Sequence, residues 1–239
     1  MKKLLLSLFA FTLFSCVSDD SDIPPANSGL KLVKIVETDL DDNTVLTSSL
    51  NYTNDQITKV EGSESTGNTF KTEFVYENQN LVRENHFENN TPIGYIILNY
   101  TGDRVTSTAS REEGIDYTNN YTYGNSGFVT SEKQYRNGEL DDDRYYDRDN
   151  AGNIVRYEYD AGYIAYSYDT AKNPFSIIYS DAVLKVNGPR FTKNNITKET
   201  ASNGTVRTYT FTYNSEGYPT EVIESYEGRL QRKTNYYYE

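Results

Sequence analysis

Phe70-Lys71-Thr72-Glu73-Phe74-Val75-Tyr76-Glu77-Asn78-Gln79-Asn80-Leu81 decides the fold of this chain. Phe70, Phe74 and Tyr76 share one face of an extended segment, while Lys71, Glu73 and Glu77 share the other. Such alternation is the mark of a β-strand with one buried face. The polar run after Tyr76 supplies a tight turn, because Asn tolerates the positive φ that hairpin turns demand. Leu81 then restarts a strand. The same alternation recurs where Tyr209, Phe211 and Tyr213 oppose Thr208, Thr210 and Thr212, and where Tyr117, Tyr121 and Tyr123 oppose Thr118, Asn120 and Thr122.

Outward from this stretch, the strand-ending aromatic repeats along almost the whole chain. It falls at Tyr52, Tyr76, Tyr100, Tyr123, Tyr146, Tyr168, Phe191, Tyr213 and Tyr236, so that copies lie 22 to 24 residues apart. A regular period of this size is one supersecondary unit copied side by side. Most units carry a second turn near their middle, as in Glu88-Asn89-Asn90-Thr91-Pro92, Arg136-Asn137-Gly138-Glu139 and Tyr226-Glu227-Gly228. Each unit is therefore strand, turn, strand. Nine units from Leu30 onward predict an all-β antiparallel meander of about eighteen short strands. An open sheet rarely exceeds about ten strands, so the sheet is expected to curl or close into a barrel with the aromatic face inward. With 23 Tyr, 10 Phe and no Trp, the interior is aromatic but polar-tipped. No segment shows sustained helical periodicity.

The turns also carry a family likeness. Tyr121-Thr122-Tyr123-Gly124-Asn125-Ser126-Gly127-Phe128, Tyr146-Asp147 through Gly152-Asn153-Ile154, and Phe211-Thr212-Tyr213-Asn214-Ser215-Glu216-Gly217-Tyr218 resemble the YD repeats of RHS-type proteins. The resemblance spans roughly residues 50 to 238 and implies a β-shell. This chain is far shorter than those proteins and has no evident cargo segment, so encapsulation is not implied. Overall it is more similar to repeat-built Bacteroidetes-type lipoproteins, some with a porin-like meander.

The N-terminus reads as an export address. Lys2 and Lys3 precede the apolar stretch Leu4 to Phe14, which is too short for a stable membrane span. Residues 1–15 are read as a signal peptide. Leu13-Phe14-Ser15-Cys16 resembles the lipobox of bacterial lipoproteins, with the bulky Phe14 departing from the small residue usual there. The resemblance implies cleavage before Cys16 and its lipidation, and Cys16 is the only cysteine. Residues 16–29, rich in Ser, Asp and Pro, read as a flexible tether, leaving 30–239 as a single β-repeat domain. The Ser18-Asp19-Asp20 cluster also resembles the acidic export signal of Bacteroidetes-type surface lipoproteins. It favours the cell-surface side of the outer membrane over the periplasmic face.

Composition narrows the chemistry. The formal charge is −12 and becomes more negative once Lys2 and Lys3 are removed, which disfavours nucleic acid, whose binders neutralise phosphates with Lys and Arg. It also repels anionic lipid, so membrane attachment falls to the acyl chains. A single histidine, His86, in a predicted strand, and no second thiol leave no parts for the usual nucleophilic triads or a His/Cys zinc site. No cofactor is implied. Asp147-Arg148-Asp149-Asn150-Ala151-Gly152 begins like a calcium loop, but Ala151 replaces a ligand, and Glu158, at the twelfth position, lies in a predicted strand. That turn, Glu139-Leu140-Asp141-Asp142-Asp143, and Asp39, Asp41 and Asp42 are read as solvated turns.

The aromatic face is read first as core. Where curvature leaves it uncovered, at a barrel mouth or concave surface, tyrosines could stack on sugar rings or grip a peptide. A lipid-facing transmembrane barrel is disfavoured by the lipid anchor and the prevalence of Tyr over Leu and Val. The expected function is a lipid-anchored, non-enzymatic binding or structural module of the cell envelope, for glycan, peptide or a partner protein. The competing expectation is a carboxylate-dependent hydrolase, which needs two acids about 5 to 10 Å apart across a cleft.

Overall fold

In a computed structural model, residues 29–186 and 188–239 are described; the signal peptide, Cys16 and nearly all of the tether lie outside them. Sixteen strands follow one another around a closed antiparallel barrel. They are β1 (Leu32–Asp39), β2 (Val45–Thr53), β3 (Gln56–Glu64), β4 (Thr69–Glu77), β5 (Asn80–Glu88) and β6 (Thr91–Thr101). Next come β7 (Arg104–Glu112), β8 (Ile115–Tyr123), β9 (Val129–Arg136), β10 (Glu139–Arg148), β11 (Ile154–Tyr159) and β12 (Gly162–Tyr168). The last four are β13 (Ile196–Ala201), β14 (Val206–Tyr213), β15 (Pro219–Tyr226) and β16 (Arg229–Tyr238). Each strand pairs with its chain neighbours, and β1 closes on β16 from Leu32↔Tyr238 to Asp39↔Arg232.

The turns obey their residues. Asn54-Asp55, Asn78-Gln79 and Asn89-Asn90 hold positive φ at both central positions, the twist that suits a two-residue hairpin. Asn137-Gly138 and Glu227-Gly228, which like Asn89-Asn90 turn the chain at the opposite end of the units, do the same.

Beside most repeat tyrosines the register slips by one residue. Asn51 pairs with Lys59 but Tyr52 with Ile57; Val75 pairs with Arg83 but Tyr76 with Leu81. The same slip sets Tyr100 against Val105, Tyr123 against Val129 and Tyr168 against Ile196. Thr58, Val82, Thr106 and Thr130 are thus the extra residues of a β-bulge. The Thr58, Thr106, Thr130 and Thr220 hydroxyls each donate to a carbonyl across it, at 3.2–3.4 Å. Because a bulge breaks the two-residue period, the first hydrophobe of each unit and the residue three places later both face inward. Ile57 and Val60, Leu81 and Glu84, Val105 and Thr108, and Val129 and Glu132 are all buried.

The tyrosine closes its own unit. Tyr52, Tyr100, Tyr123 and Tyr168 donate their hydroxyls to the carbonyls of Leu32, Leu81, Val105 and Ile154, the first hydrophobe of each unit, at 2.6–2.8 Å. In the final unit this part belongs to Tyr238, which reaches Pro219 at 2.7 Å, rather than to Tyr236. Tyr146 also stands two residues early: the slip there falls at Arg148↔Ile154, and the Tyr146 hydroxyl donates to Glu132 at 2.9 Å.

The unit expected to run from Tyr168 to Phe191 forms no strands, which is why there are sixteen rather than about eighteen. After β12 the chain enters the lumen as a plug: a 3-10 turn at Pro174–Ile177, a helical turn at Asp181–Leu184 and a 3-10 turn at Pro189–Phe191. Pro174 and Pro189 lack the N–H a ladder needs, and the Asn173 side chain caps the first turn by accepting from the Phe175 N–H at 2.9 Å. The plug's apolar residues then find cover inside. Val183 and Val186 are fully buried, and the Tyr179 ring meets Phe74 of β4 edge-on at 6.3 Å. Phe191 is a plug residue, its ring tilted against that of Phe175 with 4.8 Å between centroids.

The outer wall is polar. On β3 and β4, alternation points Lys59, Glu61, Lys71 and Glu73 outward, with Lys59–Glu61 at 2.9 Å and Lys71–Glu73 at 2.7 Å. Lys133–Asp143 and Lys233–Glu221 are comparable pairs on β9–β10 and β15–β16. Among the described residues no helix is long and apolar enough to cross a membrane.

The tyrosine closure is testable. Tyr100→Phe and Tyr123→Phe should each lose about 1 kcal/mol of stability in urea unfolding. Tyr145→Phe, at a ring that is 51 % exposed on the outer wall, should lose almost nothing. Equal losses at all three would show that the hydroxyls do not close the units.

Candidate binding cavity

The shifted phase of the bulged strands puts polar groups, as well as apolar ones, inside the barrel. They form two sets on either side of the plug. The first is a satisfied network on β7–β10. Glu132 accepts from Arg144 at 3.1 Å and from Tyr146 at 2.9 Å. Arg144 also donates to Gln134 at 2.9 Å, and Gln134 to Asn119 at 3.1 Å. Asn119 in turn donates to Thr108, whose hydroxyl meets that of Tyr121 at 3.0 Å. A network so fully paired rigidifies the wall. Burial pushes the Glu132 carboxyl up to about 8, against the opposing pull of Arg144.

Nearby on β5, Glu84 is buried and His86 stands beside it, with 3.8 Å between His86 Nε2 and Glu84 Oε2. The His86 Nδ1 lies 3.2 Å from the Thr72 hydroxyl. Burial pushes the Glu84 carboxyl up to about 8 and the His86 imidazole down to about 4. Near neutral pH the two neighbours are therefore an uncharged pair, and His86 is a wall residue, as a strand histidine is expected to be.

The second set surrounds a cavity of about 490 Å³ between the plug and the wall of β11–β16 and β1, a size typical of small-ligand pockets. Its charged lining is Glu37, Glu199, Glu224, Arg190 and Arg232. Arg207 pairs with Glu224 at 3.2 Å and Glu199 at 3.7 Å. Arg232 faces Glu37 at 3.6 Å. Tyr209 donates to Glu199 at 2.8 Å and accepts from Arg190 of the plug at 3.2 Å. The apolar lining comes from the aromatic face and the plug, with Tyr166, Phe175, Phe191 and Phe211 foremost. Burial pushes the Glu37 carboxyl up to about 7, with Arg232 and Arg190 opposing. Tyr157, which lines the cavity, stacks on Tyr146 of the network at 5.6 Å and on Tyr159 at 5.3 Å between centroids.

The acidic turns do not converge. Asp149 accepts from the Ala151 and Asn153 N–H groups at 2.9 Å each. Asp39 and Asp42 accept from Asp41 and Thr44 at 2.8 Å, and Asp41 pairs with Arg229. Asp142 binds Arg144, Asp143 binds Lys133, and Glu158 binds Arg156. These carboxylates hold turns and strand pairs. Among the described residues no three His, Cys, Asp or Glu side chains cluster as a metal site would require. Cys16 lies outside the described residues.

None of the five charged cavity residues stands out in the sequence under a strict two-residue period. Counting alternately from Ile196 puts Lys198 and Thr200 inside and Glu199 outside; the bulge reverses this. The readable signal is the hydrophobe-Thr pair that opens several units, as in Ile57-Thr58, Val105-Thr106 and Ile196-Thr197.

No protein-family description matches the chain, and no curated protein matches it. Among solved structures it is similar to a porin-like protein from Bacteroides uniformis. The two are 14 % identical with a TM-score of 0.60, over 89 % of this chain and 98 % of that one. It also matches, over 80 % of its length, 10 % of a chain of the Photorhabdus luminescens Tc holotoxin pore at 15 % identity and a TM-score of 0.33. The first likeness is one of fold, that of a β-repeat barrel.

Burial of Glu84 makes stability pH-dependent. Its folded value of about 8 exceeds the ordinary 4.5, so the stability it confers is full below about 4.5 and lost as pH rises through about 8. Glu84→Gln should remove this loss, gaining on the order of 1 kcal/mol or more over the parent chain at pH 9 and little at pH 5. Urea midpoints that run parallel across this range would refute the assignment.

Proposed function

We propose that this chain is a lipid-anchored module of the cell envelope that takes up a small ligand in its lumen without transforming it. The observation that carries the reading is the cavity between plug and wall, with aromatic faces and a few convergent polar groups, the usual make-up of a ligand site. Of the glycan, peptide or partner protein expected from the sequence, a cavity of this size suits a sugar or a short peptide. The polar outer wall supports attachment through the lipid on Cys16 rather than by the barrel itself, on the cell-surface side of the outer membrane. The tether of residues 16–29 would hold the barrel clear of the anionic surface.

Calorimetric titration of the full chain with mono- and disaccharides and di- and tripeptides should find saturable binding. Tyr209→Ala and Tyr166→Ala should each weaken it at least tenfold. Unchanged affinity in both variants would place the site elsewhere. Cys16→Ala should release the chain from the membrane fraction, and protease treatment of intact cells should degrade the parent protein.

One observation favours hydrolysis as a second reading. Glu37, pushed up to about 7, and Glu224, in its ion pair with Arg207, line the same cavity, as an acid and a carboxylate of a glycosidase would. Release of chromophore from aryl glycosides, abolished by Glu37→Gln, would decide for it.

A further inference from the structure

Three carboxyl groups and two guanidinium groups line the cavity, Arg207 joins two of those carboxyls from outside the lining, and the pairing is uneven. Arg207 reaches two carboxylates. Arg232 reaches one, Glu37, at 3.6 Å, longer than a hydrogen bond. Arg190 reaches none within 4 Å among the described residues. Its Nη2 donates to the Tyr209 hydroxyl, and the Tyr209 proton is already directed to Glu199. A tyrosine hydroxyl is a neutral acceptor, so it orients the guanidinium, while Glu199 and Glu224 act on its charge from beyond ion-pair distance.

Arg190 could be only an anchor for the plug, since its guanidinium also lies 5.9 Å from the Tyr209 ring centre. An anchor alone, however, leaves the guanidinium fork at the cavity with one neutral hydrogen-bond partner, Glu199 and Glu224 acting on it only at longer range, and a charged acceptor that meets the fork directly binds it more strongly. The plug delivers this residue to the lumen from between Gly188-Pro189 on one side and the base of β13 on the other. Gly188 and Pro189 line the cavity next to it, so the backbone there leaves room around the guanidinium.

We propose that Arg190 seats the carboxylate of a small monoanionic ligand whose ring lies against Phe175, Phe191, Phe211 and Tyr166. The proposal rests on the lumenal binding reading and specifies its ligand. A planar carboxylate matches the guanidinium fork. A phosphate dianion would bring a second negative charge beside Glu199 and Glu224, where like charges repel. A cavity of about 490 Å³ admits a single ring with its substituents, not a polymer. Aromatic acids and sugar acids share this chemistry, and the test separates them.

The full chain is titrated with phenylacetate and with glucuronate, each beside its neutral amide. At least one acid should bind ten times more tightly than its amide, and which one does so identifies the ring. Arg190→Gln should weaken that acid at least tenfold and leave the amide unchanged, and Arg190→Lys should recover part of the loss. Glu37→Gln, which removes a like charge from the wall, should tighten the acid severalfold, an outcome that a poorly folded variant would not produce. Acid and amide of equal affinity, or Arg190→Gln with undiminished affinity for the acid, would overturn the proposal. Binding of neutral sugars with no preference for acids would overturn it too, while leaving the lumenal reading in place. Failure of every probe to bind the intact barrel would count against both.

Discussion

One extra residue beside each unit-closing tyrosine governs this barrel. A strand of strict period two could place either the tyrosine's neighbour or the residues beyond it in the lumen, but not both in their observed positions. The bulge at Thr58, Val82, Thr106 and Thr130 lets the opening hydrophobe seal one end of the barrel. The rest of the strand then turns its opposite face inward. At Leu81 and Val105 the hydroxyl of Tyr100 or Tyr123 fixes that geometry by bonding the carbonyl of the same hydrophobe. Core, latch and polar lumen are thus three results of one local shift, repeated around the wall.

Much of the architecture is legible in the chain and much of the site is not, for different physical reasons. Asn54-Asp55 and Asn137-Gly138 announce their turns because few residues tolerate their backbone angles, and the aromatic alternation entering Tyr76 or Tyr213 survives because no bulge interrupts it. The lumenal charges are hidden because their strands begin with a bulge, so Glu84, Glu132 and Glu199 appear to face solvent when counted from the first hydrophobe. The plug is hidden for another reason. Asp169-Thr170-Ala171-Lys172-Asn173-Pro174 imitates the turn of an ordinary unit, and Phe191 arrives on the expected beat. Only the two prolines and the unalternating Ile177-Ile178 and Val183-Leu184 pairs betray a segment that cannot join the ladder.

The lumen is divided between finished and unfinished polar chemistry. On one side Glu132 has its donors and Arg144 its acceptors, so this part of the wall is a structural element despite its charges. On the other, Arg190 arrives on the plug, Arg232 stands off from Glu37, and open volume lies between them. Buried charge in a barrel is tolerated in both cases, but it specifies a shape in the first and lines an open cavity in the second. The likeness to a porin-like barrel extends to the closed meander; the charged outer wall and the plugged interior are features of this chain's own side chains.

The loss of one unit to the plug also has a topological side. Because each unit contributes an up strand and a down strand, diverting a whole unit removes two, and the count stays even. An antiparallel ring can close only on an even number; an odd one would leave β1 and its last neighbour running the same way at the seam. The diverted segment starts and ends at the same rim, between Tyr168 and Ile196, so β12 and β13 meet as if nothing stood between them. Hairpin repeats therefore let a barrel trade circumference for contents in steps that never disturb its seam. A cylinder built this way can acquire an interior without acquiring an opening in its wall.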